Sequence, residues 1–180
     1  MRHLRELTLI VCLFCVIEAA AADPQTQSAS DTALTAKVKS ALATERAVKA
    51  SDIEVETRDG VVQLSGFVDS EDAQTAAVLK ARSVNGVAEV RNDLSIRNDD
   101  RPAQEPVSDT VIAARVRSSL GSAQLEDDSD VNVEVSAGVV QLSGFVTSIE
   151  EKARAGDAAS AVSGVRDVEN NIALTKEHER

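Results

Sequence analysis

A chain of 180 residues with a net charge of −11 and a pI near 4.6 lacks the basic footprint that general nucleic-acid binding requires. It holds no tryptophan, no tyrosine and three phenylalanines, so base-stacking platforms are excluded as well. Its two cysteines, Cys12 and Cys15, both lie near the amino terminus and provide no disulfide framework, so the core must hold together by packing.

Residues 1–22 have the order of a secretory signal. Arg2 and Arg5 precede an apolar run at 7–17, and the four alanines at 19–22 offer an A-x-A cleavage site before Asp23. The run is too short to span a bilayer, which takes roughly 20 residues. Val11 and Phe14 stand ahead of the two cysteines, where a lipid-modified cysteine normally has a small residue. The expectation is an exported chain that starts near Asp23 and carries no thiol. It keeps the whole charge of −11, because Arg2 and Arg5 cancel Glu6 and Glu18. A short polar segment, 23–29, follows the leader.

From Ser30 onward the chain reads as two copies of one unit. Ser30-Asp31-Thr32 falls on Ser108-Asp109-Thr110, and an offset of 78 holds from 30 to 98 without a gap, with 28 of 69 positions identical. The best-matched stretch is GVVQLSGFV, at 60–68 and again at 138–146. A loop shared by convergence would not keep register over that distance, so the pattern is a tandem duplication.

Each copy opens with an amphipathic helix. Leu34, Val38 and Leu42 form a stripe at i, i+4 and i+8, repeated by Ile112, Val116 and Leu120, and Ser30 or Asp31 can cap the start. A hairpin follows, turning at Asp59-Gly60. Centring the turn there pairs Ile53 with Gly66, Val55 with Leu64 and Thr57 with Val62. Ile53, Val55, Val62, Leu64 and Val68 then face the core, and Glu54, Glu56, Gln63 and Ser65 face the other way. In the second copy Val131, Val133, Val135, Val140, Leu142 and Val146 take the core positions. Gly66 lies on the core face and makes room for a helix or a bulky neighbour.

A second helix with a small-residue stripe comes next: Ala73, Ala77 and Ala81, matched by Ala155 and Ala159. Ser148 and Glu151 have capping-box spacing. Gly86 and Gly164 suit the left-handed backbone beyond a helix end. A last strand carries Val90, Leu94 and Ile96 with Asn92 among them. The fold class is therefore α+β: two α-β-β-α-β domains at 30–98 and 108–176, each a three-stranded sheet covered by two helices. A polar linker at 99–107, with Pro102 and Pro106, separates them, and 177–180 form a tail.

The hairpin pattern G-V-V-x-L-x-G-x-V, the alanine-striped helix and the GV..V.N.L ending resemble the BON domain. The residues that carry the resemblance are Gly60, Val62, Leu64, Gly66, Val68, Gly86, Val87, Val90, Asn92 and Leu94. In the second copy they are Gly138, Val140, Leu142, Gly144, Val146, Gly164, Val165, Val168 and Asn170, with Ile172 in place of the final leucine. The resemblance implies a non-enzymatic periplasmic protein of envelope stress or maintenance, monomeric, that binds phospholipid headgroups or unfolded envelope client proteins. Two other readings stay open: an interaction module of a larger envelope assembly, and a binder of a small cation or ligand.

The residues offer little for catalysis. His178, in the polar tail, is the one histidine after the leader, and no Ser-His or Cys-His arrangement can be built around it. No P-loop or GxGxxG is present, and no cofactor is expected. Asp128, Asp130 and Asn132 alternate as in a calcium loop, but Val133 and Val139 stand where its glycine and glutamate belong, so no metal site is assigned. Lys37 and Lys39 flank Val38, and Arg115 and Arg117 flank Val116. These four cations are the candidate contact for phosphate headgroups or an acidic partner. Asn92 and Asn170 are read as satisfying backbone groups at a sheet edge.

Overall fold

A computed structural model describes residues 24–97, 107–123, 125–126 and 129–175, with side chains from Ser30 onward. The leader, the linker prolines, Asp128 and the tail with His178 lie outside the described residues.

The first unit starts with helix α1 (Pro24–Ala43), whose stripe of Leu34, Val38 and Leu42 is buried. A single 3-10 turn at Ala50–Asp52 leads into strand β1 (Ile53–Arg58), and strand β2 (Val61–Val68) returns antiparallel to it. The turn residues Asp59 and Gly60 both have positive φ, 54° and 74°, the primed geometry that matches the twist of paired strands. The register is the one the alternation demands: Ile53 faces Gly66, Val55 faces Leu64 and Thr57 faces Val62. Helix α2 (Glu71–Arg82) is capped by Ser70, whose hydroxyl accepts from the Ala73 amide, and it lays Ala73, Ala77 and Ala81 on the sheet. Strand β3 (Glu89–Ile96) then runs parallel to β2, so the sheet order is β1-β2-β3 with β2 in the centre. Small side chains on α2 let it sit close to the sheet and leave the volume to Leu34, Val38, Val62 and Leu64.

The second unit repeats the plan with α3 (Asp109–Gly121), β4 (Asp130–Ser136), β5 (Val139–Val146) and α4 (Ile149–Ser160). Its third strand is divided into β6 (Asp167–Asn170) and β7 (Ala173–Leu174), both parallel to β5, so the expected three-stranded sheet has four strands. Side chains bond two backbone carbonyls at the break. The Asn171 carbonyl accepts from Gln63 in the first unit at 2.8 Å, and the Ile172 carbonyl accepts from Lys152 at 2.7 Å. The matching carbonyls of β3, Asp93 and Leu94, are bonded in the same way by Gln141 and Gln74 without dividing the strand.

Two local expectations need correction. Helix α1 begins at Pro24, so the polar segment is helical and Ser30 and Asp31 lie inside the helix rather than at its cap. Asp31 serves the hairpin instead: its carboxylate accepts from the Asp59 and Gly60 amides at 2.8 and 3.1 Å. Asp109 does the same for Ala137 and Gly138, both at 3.0 Å. An acid on the first helix thus ties down a turn whose left-handed backbone, with Ala137 at φ 51°, is unfavourable by itself. Gly66 makes room for neither a helix nor a bulky side chain. A Cβ there would overlap the Asp52 carbonyl oxygen, and one on Gly144 would overlap that of Asp130.

Candidate functional site

The middle of the second face of each hairpin does not meet water. Gln63 and Ser65 are 1% and 2% exposed, and so are Gln141 and Ser143. The two sheets pack against each other through these residues. Strand alternation places Gln63, Ser65 and Phe67 on one side of β2, and Gln141, Ser143 and Phe145 on the matching side of β5. The Ser65 and Ser143 hydroxyls meet at 2.7 Å.

On either side of that contact a glutamine enters the opposite sheet. The Gln141 carboxamide accepts from the Gly66 amide and donates to the Asp93 carbonyl at 2.7 Å. Gln63 reciprocates, accepting from Gly144 at 2.9 Å and donating to Asn171 at 2.8 Å. In a parallel ladder with Gly66 beside Leu94, the Gly66 amide and the Asp93 carbonyl would bond each other. The glutamine amide stands between them as a surrogate peptide group. Each unit fills the gap in the other's sheet.

Less symmetric contacts surround this centre. Ser95 donates to Glu169 at 2.5 Å, Asn132 donates to Glu56 at 3.0 Å, and the Arg58 guanidinium lies 5.4 Å from the centre of the Phe145 ring. Burial, with the nearby Asp130 carboxylate, pushes the Glu56 carboxyl above its ordinary value against the Asn132 hydrogen bond. Burial raises Glu134 too, against Arg117 and aided by Glu54 and Asp52 of the first unit. A carboxyl with a raised folded pKa binds its proton more readily in the folded state. These two therefore oppose folding at neutral pH, and the opposition fades as pH falls through their folded values.

A second buried feature was hidden in the capping-box spacing. Ser148 caps α4 by accepting from the Glu151 amide at 3.3 Å, but the Glu151 carboxylate does not return the bond to Ser148. It is fully buried and accepts from the Thr147 hydroxyl and amide at 2.6 and 2.9 Å, the Glu126 amide at 2.7 Å and the Ser129 hydroxyl at 3.1 Å. Burial pushes this carboxyl up, and the four hydrogen bonds together outweigh it and hold the group down at about 2. Stability from such a group is present above the ordinary value of 4.5 and is lost as pH falls from there through about 2. Glu151→Gln is expected to cost about 2–3 kcal/mol at neutral pH, as charge-assisted bonds do. Melting curves against pH should bring variant and wild type together across that acid window.

The four candidate cations are placed differently from one another. Lys39 pairs with Glu54 at 2.6 Å, and Arg117 donates to the Val133 carbonyl at 2.7 Å, so both brace the first helix of their unit on its hairpin. Arg115 is exposed and donates to the Ser163 carbonyl at 3.3 Å. Lys37 is exposed, and no hydrogen bond or ion pair engages it among the described residues. Of the calcium-like trio, Asp128 lies outside the described residues and Asn132 turns to Glu56 across the seam. Asn92 accepts from the Leu94 amide of its own edge strand at 3.3 Å, and Asn170 donates to the Lys152 carbonyl of α4 at 2.8 Å. Gly86 and Gly164 have φ of 105° and 101° in the turns after α2 and α4.

The BON domain matches residues 30–98 and 108–176, both units and most of the chain. The chain belongs to the BON-domain family. Osmotically-inducible protein Y of Escherichia coli, OsmY, is 38% identical over 143 residues, 79% of this chain and 71% of that protein. Outer membrane lipoprotein DolP of Haemophilus influenzae is 32% identical over 151 residues, 82% of this chain and 77% of that one. Among solved structures, the C-terminal domain of CdsD, a structural protein of the type III secretion system of Chlamydia trachomatis, covers 81% of this chain and 67% of that one. Its identity is 15% and its TM-score 0.33, too loose to carry a conclusion. In these BON domains the GVVQLSGFV repeat is both the turn and core of the hairpin and the surface that joins the two copies.

Proposed function

We propose that this tandem BON protein is a non-enzymatic periplasmic component of envelope stress or maintenance, exported by its leader, that makes reversible contact with phospholipid surfaces. The kinship with one relative named for osmotic induction and another named as an outer-membrane lipoprotein supports the setting. The observation that carries the contact is the packing of the two sheets. Their polar faces cover each other, so helices and loops present the outer surface. There Leu79, Val111 and Ile149 are exposed apolar side chains, and Val111 lies one turn from Arg115 on α3. An apolar side chain beside a cation is the pairing that an interfacial lipid contact uses. No helix among the described residues is long and apolar enough to cross a membrane, which fits attachment from the side.

The net charge of −11 opposes approach to an anionic surface, so a local patch must act within a Debye length. Each surface cation adds roughly 1 kcal/mol. Flotation with anionic vesicles should show binding that weakens as salt rises. Lys37→Glu/Arg115→Glu should reduce it about tenfold or more with little change in melting, since the Arg115 bond to the Ser163 carbonyl is long and exposed. Lys39→Glu/Arg117→Glu should also lower the melting temperature, because their shorter bonds brace the first helix on its hairpin. If the first pair floats like wild type, the lipid reading fails. Suppression of aggregation of an unfolded envelope protein would then favour client binding.

A further inference from the structure

We propose that the first domain binds a carboxylate on a short apolar stem, in a pocket that Glu151 fills in the second. The pocket, of about 250 Å³, lies beside Ala73 at the start of α2 and is lined by Val48, Val68, Arg46 and Lys49 among others. The offset of 78 places Ala73 on Glu151, Val48 on Glu126, Ser51 on Ser129 and Asp69 on Thr147. In the second domain those positions make a complete carboxylate site, with two backbone amides and two hydroxyls around the buried Glu151. In the first, the side chain that would supply the carboxylate stops at Cβ. The missing part is one methylene and one carboxylate, the size of acetate.

Of the four donors around Glu151, the first domain keeps the Asp69 amide open. Its Val48 amide bonds the Glu45 carbonyl at 3.3 Å, its Ser51 hydroxyl bonds Asp52 at 3.0 Å and Asp69 stands for the Thr147 hydroxyl, so charge rather than hydrogen bonding would draw the ligand. By sequence the second domain, with its carboxylate built in, has Gln124 and Asp127 where the first has Arg46 and Lys49. Two further pocket residues, Asp52 and Asp69, are already neutralised: Arg97 pairs with Asp52 at 2.8 Å and with Asp69 at 3.5 Å, and Lys49 pairs with Asp69 at 2.6 Å. Three cations thus face two acids, and one added carboxylate balances the set. The Asp69 amide, equivalent to the Thr147 amide that bonds Glu151, has no hydrogen-bond partner among the described residues. The apolar floor of Val48 and Val68 suits the stem. A free carboxylic acid and an acidic side chain of a polypeptide share this chemistry.

The test is a titration of the full exported chain with acetate, propionate and butyrate, followed by amide NMR shifts at constant ionic strength against chloride. Saturable shifts confined to Val48, Asp69, Ala73 and their neighbours are expected. Ala73→Glu should abolish them and raise the melting temperature of the first domain by supplying the missing side chain. Arg46 and Lys49 are exposed, so Arg46→Glu/Lys49→Glu keeps the test valid if Ala73→Glu does not fold, and it should weaken binding about tenfold or more. A glutamate-containing peptide that binds more tightly than butyrate identifies a polypeptide source, and equal affinity identifies the free acid. Shifts that never saturate, or that persist unchanged in both variants, overturn the proposal. This test is independent of vesicle binding.

Discussion

Gly66→Val should unfold the first domain or leave it barely stable, and Gly144→Val should do the same to the second. Two costs combine. The backbone is held at φ 117° and 113°, where a side chain costs on the order of 1–3 kcal/mol. In addition, the new Cβ would overlap a main-chain carbonyl oxygen, that of Asp52 or Asp130, which cannot rotate away as a side chain can. Overpacking of this kind adds about 1–3 kcal/mol. The sum is a large part of the roughly 5–15 kcal/mol that holds a small domain together. Because the overlap is at Cβ, alanine should be almost as damaging as valine. Thermal melts of Gly66→Ala and Gly66→Val decide it: a well-tolerated alanine would mean that the backbone at Asp52, in the 3-10 turn ahead of β1, is free to retreat and that its close approach is not a constraint.

The second large effect is expected at the seam. Gln141→Ala removes the group between the Gly66 amide and the Asp93 carbonyl, and Gln63→Ala does the same at Gly144 and Asn171. Each leaves a buried donor and a buried acceptor without partners, at about 1–3 kcal/mol apiece. Separation of the sheets would let water reach them, so the variant should relieve its cost by opening. The double variant Gln63→Ala/Gln141→Ala is expected to lose little more than the worse single one, since an interface already open has nothing further to lose. Denaturant melts measure the energies, and small-angle scattering should show an extended pair of domains in place of a closed one. Gln63→Glu is a useful control. It can still accept from Gly144 but cannot donate to Asn171, so it should fall between wild type and alanine. Additive losses without a change in shape would count against the reciprocal arrangement.

Much of each BON domain was legible in the residues. The stripes of α1 and α3, the hairpin register and the alanine face of α2 all follow from periodicity, because each period puts identifiable side chains on one face. Strand order was not legible, since the same elements can be wound in more than one way. The role of the second hairpin face was not legible either, for a related reason. Alternation says that Gln63 and Ser65 share a side, but not whether that side meets water or another sheet. A signal was present all the same. Gln, Ser and Phe are identical in both copies on that face, while Glu54 against Asn132 and Arg58 against Ser136 diverge. Identity at positions that contribute nothing to their own core points to contact between the copies. Asp31 and Glu151 were misplaced because each acid has two backbone targets within reach, a helix start and a turn or loop. Sequence spacing names the near one, and tertiary structure supplies the other.

The face-to-face packing of the two sheets is the central claim, and a disulfide tests it most directly. Ser65 and Ser143 place their hydroxyl oxygens 2.7 Å apart across the seam, and residues 23–180 contain no cysteine. Ser65→Cys/Ser143→Cys in that segment, oxidised mildly at low protein concentration, should form an intrachain disulfide, since side chains already in contact need little rearrangement to reach its geometry. The predicted result is a monomer that titrates no free thiol and unfolds at higher temperature than its reduced form. Two free thiols after oxidation, or cross-linking only between chains, would contradict the account.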